Sequence, residues 1–165
     1  MARVDVRIES CSRLDDEVCR RLLADSDPWR RLGYGEQELT AIAQATHAAN
    51  VLVAMRGETV VGFCLSSSGV LLGEYLKLLV VDAEHRGQGI GGHLLRAMED
   101  RAFRRWPNVY LCVSDFNESA RRFYERHGYR EIGRLPDLLV AGSDEILMRK
   151  TTAPWRQFRA QGPQT

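Results

Sequence analysis

From Val4 to Glu9 apolar and polar residues alternate, which is the period of a half-buried strand. The period then lengthens. Leu14, Val18, Leu22 and Leu23 fall on one face of a helix over Arg13–Ala24, which the stretch Asp25 to Pro28 ends. A loop carrying Trp29 and Tyr34 leads into a second helix, Glu36–His47, with Leu39 and Ile42 inward. Two strands follow, Val51–Met55 and Thr59–Ser66, around Arg56-Gly57-Glu58, where the glycine supplies the positive φ of a tight hairpin. Ser66–Gly69 reads as a further turn and Val70–Val81 as a long strand interrupted near Gly73.

The charged turn Asp82–Gly87 delivers the chain to a helix over Gly89–Trp106, with Ile90, Leu94, Leu95, Met98 and Ala102 inward and Pro107 as its stop. Val109–Val113 is a returning strand. A strand, helix and strand in this order form a right-handed crossover, so Val70–Val81 and Val109–Val113 are expected to run parallel. A last helix, Asn117–His127, ends at Gly128 in a left-handed cap position. Tyr129–Gly133 and Ile146–Lys150 then pair as a hairpin across the loop Arg134–Glu145. The elements describe a mixed α/β domain over residues 1–150. A tail over 151–165 either docks through Trp155 and Phe158 or frays.

Composition narrows the functions open to such a domain. A length of 165 residues with 44% hydrophobic content supports one core, and a net charge of +1 provides no general field for nucleic acid or an anionic membrane. Any anion site is therefore local. Two of the 23 cationic residues are lysine, Lys77 and Lys150, and the rest are arginine; the clusters at Arg101–Arg105 and Arg121–Arg130 read as solvated helix faces. No apolar run of about 18 residues spans a bilayer, and the first residues lack the apolar core of a signal peptide, so a cytoplasmic protein is expected. Cys11, Cys19, Cys64 and Cys112 lack the spacing of a zinc site or a disulfide scaffold, and no metal is expected.

The glycines after the long strand carry the chemistry, and they can be read in two registers. Gly87, Gly89 and Gly92 spell G-x-G-x-x-G, with Asp115 closing the next strand, which is formally a dinucleotide fingerprint. Against this, Asp82, Glu84, His85 and Arg86 separate the strand from the glycines, where that fold needs an immediate tight turn. In the other register Arg86, Gly89 and Gly91 spell R-x-x-G-x-G. Glycines at 87, 89, 91 and 92 lack Cβ atoms, so several backbone N–H groups can face one anion at a helix N-terminus.

This second register resembles the acetyl-CoA pyrophosphate loop of the GNAT superfamily of N-acetyltransferases. A second block follows in the right order. Asn117, Ala120, Tyr124, Gly128 and Tyr129 fit N-x-x-A-x-x-x-Y-x-x-x-G-[FY]. The resemblance implies a central mixed, mostly antiparallel sheet of six to seven strands flanked by about four helices, with splayed parallel central strands. It implies acetyl-CoA as co-substrate, bound by the backbone of Leu79, Val80 and Val81, by Arg86, Gly87, Gln88, Gly89, Ile90, Gly91 and Gly92, and by Asn117, Ser119 and Tyr124. Asn117 also suits an ordinary helix N-cap, and the two roles are compatible.

The implied reaction is direct attack of a primary amine, on a small molecule, peptide or protein, on the thioester in a ternary complex. Tyr124 matches the tyrosine that protonates the departing thiolate; Glu74 is the candidate general base, with Glu145, Asp144 and His85 as alternatives. A base matters more for a lysine-like amine, which costs about 4 to 5 kcal/mol to deprotonate at pH 7, than for an α-amine at about 1 to 1.5 kcal/mol. Trp29, Tyr34, Leu138 and Leu139 are candidate acceptor contacts. The end segment Gly142–Met148 loosely resembles ribosomal-protein N-terminal acetyltransferases, with leucines where those have tyrosines. A non-catalytic acyl-CoA sensing module on the same fold and a nicotinamide-dependent oxidoreductase are the competing readings. A homodimer is common in the superfamily.

Overall fold

The computed structural model describes residues 5–24, 26–45 and 50–161. The expectations for Val4, Asp25 and residues 46–47 fall outside them. In chain order the elements are β1 (Arg7–Cys11), α1 (Asp16–Ala24), α2 (Glu36–Ala45), β2 (Asn50–Arg56), β3 (Thr59–Val70), β4 (Gly73–Val81), α3 (Ile90–Arg105), β5 (Asn108–Ser114), α4 (Glu118–Arg126), β6 (Arg130–Leu135) and β7 (Glu145–Thr151). The strands are hydrogen-bonded in the order β1-β2-β3-β4-β5-β7-β6. β4 and β5 run parallel, as the crossover requires, while β1–β2, β2–β3, β5–β7 and β6–β7 are antiparallel. The sheet is thus mixed and mostly antiparallel, with four α-helices among the described residues.

The chain forms two compact units, Met1–Ser66 with Leu78–Met98, and Ser67–Lys77 with Glu99–Thr165. In the first unit, α1 begins where Asp15 Oδ1 accepts from the backbone N–H groups of Glu17 and Val18, a capping arrangement that satisfies two orphan donors. Its Leu22 and Leu23 join Val51, Val53, Phe63, Leu65, Leu78 and Val80 in a buried cluster, against which Trp29, Leu39 and Ile42 pack. β3 crosses close to the end of β4 at Gly62. A Cβ there would stand 2.8 Å from the Val80 carbonyl oxygen, nearer than real Cβ contacts come.

In the second unit the turn between β3 and β4 differs from expectation. Ser66–Gly69 continues β3, and the chain reverses at Leu71 and Leu72, whose φ values are +48° and +58°. Two hydrogen bonds from β5 hold this turn: Tyr110 Oη donates to the Leu71 carbonyl at 3.2 Å and Asn108 Nδ2 to that of Leu72 at 3.0 Å. Gly73, the expected interruption, is instead the first residue of β4. The parallel pairing with Asn108 brings the two backbones so close that a Cβ would lie 2.6 Å from the Asn108 carbonyl oxygen.

The remainder of this unit is built on β5 and β7, in register from Asn108↔Thr151 to Ser114↔Glu145. One buried ion pair anchors β7 to α3: Lys150 Nζ donates to Glu99 Oε2 at 2.6 Å and lies over the rings of Phe103 and Tyr129. The described part of the tail docks. Trp155 stacks between Trp106 and Phe158, and the Gln161 N–H donates to the Arg104 carbonyl.

Candidate active site

In the first unit the strand-to-helix loop is held from both sides. Asp82, leaving β4, donates its N–H to the Val61 carbonyl and accepts from Glu84 N–H, which caps a short 3-10 turn, Ala83–His85. Arg21, in the last turn of α1, donates to Asp82 Oδ2 at 2.8 Å. Arg86 donates through Nε to the Val81 carbonyl at 3.1 Å and through Nη2 to Ser26 Oγ at 2.9 Å. The motif arginine thus fastens the loop to the end of β4 and to the residues after α1.

Gly87 and Gly89 have φ of +74° and +82°, so each supplies the left-handed conformation that a side chain resists, and Gly91 and Gly92 lie in the first turn of α3. The Gly89 carbonyl accepts the first helical bond, from His93 N–H. The N–H groups of the first turn of a helix have no intrahelical acceptor, so the loop ends in donors suited to an anion. Gln88, bonded to the Glu84 carbonyl and to Arg56, closes one side. In β4, Leu78 and Val80 turn into the core, which leaves Leu79 and Val81 half-buried on the other face.

The second unit holds the candidate acid and base. Asn117 caps α4: its Oδ1 accepts from Ala120 N–H at 3.2 Å and from Ser119 Oγ at 3.5 Å, a cap that uses the oxygen and not the Nδ2 amide. Tyr124, on α4, is buried, with its ring edge-on to Tyr129 at 5.7 Å and to Phe123 at 5.1 Å. His127 closes the helix, its Nδ1 at 2.8 Å from the Phe123 carbonyl.

Register determines which residues share a face with one another. Tyr75 pairs with Tyr110, Cys112 and Ser114 alternate onward from Tyr110, and Ser114 pairs with Glu145, so all five project from one face. Tyr75 and Cys112 lie near enough to perturb one another, and Glu145 and Tyr124 lie near enough for their charges to act on Tyr75. Burial pushes the Tyr75 phenol far above its ordinary range, with the Cys112 contact adding to the shift. Burial also raises the Cys112 thiol, against the opposing effect of Tyr75. The Glu145 carboxyl is raised too, by burial first, with Ser114's hydrogen bond opposing and Asp115's charge adding.

Glu74 lies on the opposite face. It is buried, accepts from Ser68 Oγ at 2.6 Å, and pairs with Val109, whose other partner across β5 is Lys150. That is the face α3 covers through Glu99. Asp144 is engaged with Asp115, and His85 lies 3.5 Å from Asp82 in the first unit. Asp115, the acidic residue of the dinucleotide reading, already accepts from Asp144 N–H and Ser143 Oγ, which hold its carboxyl below the usual range. Of the acceptor contacts, Trp29 and Tyr34 lie together in the first unit with ring centroids 5.4 Å apart, and Trp29 packs on its core. Leu138 and Leu139 are 53% and 43% exposed on the β6–β7 loop of the second. Tyr75, Cys112 and Ser114 are absent from the expected site. Their signal was the polar alternation Cys112, Ser114 inside an apolar strand, which says nothing about which distant strand lies beside it.

Among the described residues no group of three or more His, Cys, Asp or Glu is gathered as for a metal ion, and no helix is long and apolar enough to cross a membrane. The first unit holds a helix N-terminal anion cradle, and the second holds a buried tyrosine, Tyr124, and a buried carboxylate, Glu145. The family model of the GNAT acetyltransferases matches residues 16–129, and the chain belongs to that family as an N-acetyltransferase. The N-alpha-acetyltransferase RimI of Mycobacterium tuberculosis is 31% identical over 156 residues, covering 88% of this chain and 92% of that protein. An uncharacterized N-acetyltransferase of Methanocaldococcus jannaschii is 39% identical over 106 residues, 63% of this chain and 64% of its own length. A solved aminoglycoside 6'-N-acetyltransferase complexed with coenzyme A shares the fold, with a TM-score of 0.73 at 20% identity over 90% of this chain and 98% of its own.

Proposed function

We propose that this enzyme moves the acetyl group of acetyl-CoA to the free α-amine of a peptide or protein, by direct attack within a ternary complex. The observation that carries the chemistry is Tyr124. It stands at the motif position for the thiolate acid and is buried beside the polar face of Tyr75, Cys112 and Glu145. In this reading the pyrophosphate of the co-substrate takes the N–H donors of residues 87–92 and the guanidinium of Arg86. Its pantetheine arm extends along the Leu79–Val81 backbone. Direct transfer is supported over an acyl-cysteine because burial keeps the Cys112 thiol protonated, and the thiol form is a poor nucleophile.

The α-amine preference is supported by the relation to the N-alpha-acetyltransferase named above, which spans nearly all of both chains. Energetics agree, since an α-amine needs about 1 to 1.5 kcal/mol of deprotonation at pH 7, against about 4 to 5 kcal/mol for a lysine side chain. The exposed Leu138 and Leu139 would face the acceptor's apolar side chains. The four cysteines are thiols, which suits a reducing, cytoplasmic setting.

The test is thiol release from acetyl-CoA with peptides bearing a free N-terminus, the same peptides N-blocked but containing lysine, and an aminoglycoside. Release with the first class alone is expected. Release only with the aminoglycoside would refute the acceptor, and coenzyme A binding without release for any amine would leave a binding module. Tyr124→Phe should lower kcat by about 10²-fold or more with the dissociation constant for acetyl-CoA unchanged.

A further inference from the structure

We infer that Glu145, and not Glu74, is the group that takes the proton of the acceptor amine. The inference rests on the acetyl-transfer reading above and assigns the base within it. Glu145 opens β7 opposite Ser114, and its side chain projects from the same face as Tyr75 and Cys112. It is 4% exposed. Ser114 Oγ donates to Oε1 at 2.5 Å, which occupies one of the two carboxylate oxygens.

The other paired carboxylates of the chain show why this one differs. Glu99 is equally buried but faces Lys150; Asp82 faces Arg21; Glu118 and Glu125 face Arg122 and Arg121. Glu145 takes part in no ion pair among the described residues. The groups near it are neutral protic ones, Ser114, Cys112 and Tyr75, together with the acidic Asp115. Its register partner on β6 is Leu135. A buried carboxylate without a cation is expensive and adds nothing to stability, so its presence here points to chemistry.

The geometry behind Glu145 is rigid. The Asp115 N–H donates to the Asp144 carbonyl at 2.9 Å, Asp144 N–H returns a bond to Asp115 Oδ2 at 3.3 Å, and Ser143 Oγ reaches Oδ1 at 3.1 Å. These bonds fix the residue just before Glu145 to the end of β5. Burial raises the carboxyl above its ordinary range, with Asp115 adding, and this strengthens the carboxylate as a base toward an amine. Glu74 lacks this setting because it points to the face that α3 covers.

The step balances as follows. The acceptor nitrogen forms the C–N bond to the acetyl carbonyl carbon and gives one N–H proton to the Glu145 carboxylate. The C–S bond breaks, and the thiolate takes the hydroxyl proton of Tyr124. The proton on Glu145 then restores the Tyr124 phenolate by way of solvent, so the products are the acetamide, coenzyme A as free thiol and an unchanged enzyme.

The experiment compares wild type, Glu145→Gln, Glu74→Gln and Ser114→Ala. It measures kcat/KM for a free-α-amine peptide against pH, with acetyl-CoA affinity as the control for folding. Glu145→Gln is expected to lower kcat/KM by about 10²- to 10⁴-fold and to abolish its acidic limb, while acetyl-CoA binding is kept. Glu74→Gln should retain the limb. Ser114→Ala removes the bond that favours the charged form, so the limb should move to higher pH, and this reading stands even if Glu145→Gln fails to fold. A wild-type profile in Glu145→Gln, an unmoved limb in Ser114→Ala, or loss of the limb in Glu74→Gln instead would each overturn the assignment. Absence of thiol release by the wild type with every amine would sink the acetyl-transfer reading itself, and that result is distinct from a failure confined to the variants.

Discussion

Lys150→Met tests the ion pair that ties β7 to α3. The Glu99 side chain is 7% exposed and that of Lys150 28%, and the second oxygen of Glu99, Oε1, is buried without a hydrogen-bond partner. Methionine keeps an unbranched apolar stem against Phe103 and Tyr129 but removes the charge opposite the carboxylate. A buried carboxylate left uncompensated costs about 3 to 5 kcal/mol, a fifth or more of the ~5 to 15 kcal/mol that stabilises a domain. For a chain of this size the melting temperature should fall by about 6 to 20 °C.

The reverse change should be milder. Glu99→Leu leaves a lysine that is already partly exposed and can extend to water, so it should cost less than Lys150→Met. The double variant Lys150→Met with Glu99→Leu should return to within about 1 kcal/mol of wild type, because two well-packed apolar groups can replace a buried pair. Urea unfolding of the four proteins at pH 7 completes the cycle. A loss under ~1 kcal/mol in Lys150→Met, or a double variant that loses the sum of the singles, would show that the carboxylate is not held by this lysine.

The turn Leu71-Leu72 offers a gain. Each leucine in the left-handed region costs about 1 to 2 kcal/mol, and both side chains are exposed, so Leu71→Asn with Leu72→Gly should raise stability by about 1 to 2 kcal/mol, since the turn's bonds go to backbone carbonyls. No gain in urea unfolding would contradict the strain. Glu145 gives a pH signature in stability. Its folded pKa is raised, so its contribution is fully present below the ordinary carboxyl value and is lost as pH rises through the folded pKa. Glu145→Gln should therefore match wild type near pH 4 and become the more stable protein toward neutrality; a difference that stays constant across that range would argue against a buried, unpaired carboxylate.

What the chain determined by itself is the donor half of the enzyme. The helical and strand periods from Val70 to Trp106, the glycines where positive φ is needed, the arginine before them and the N-cap at Asn117 are local requirements, and local requirements are written in consecutive residues. The acceptor half was decided by tertiary pairing. Ser-Ser-Ser-Gly carries the residues of a turn, yet the reversal occurs at two leucines, because Asn108 and Tyr110 bond their carbonyls and Gly73 is needed where β4 meets β5. The proposal of Glu145 over Glu74 as the base rests on the same kind of reason. A strand has a period of two, so whether a carboxylate faces Cys112 and Tyr75 or the helix side depends on register with β5. That register is set by residues far away in the chain, and no single strand encodes it.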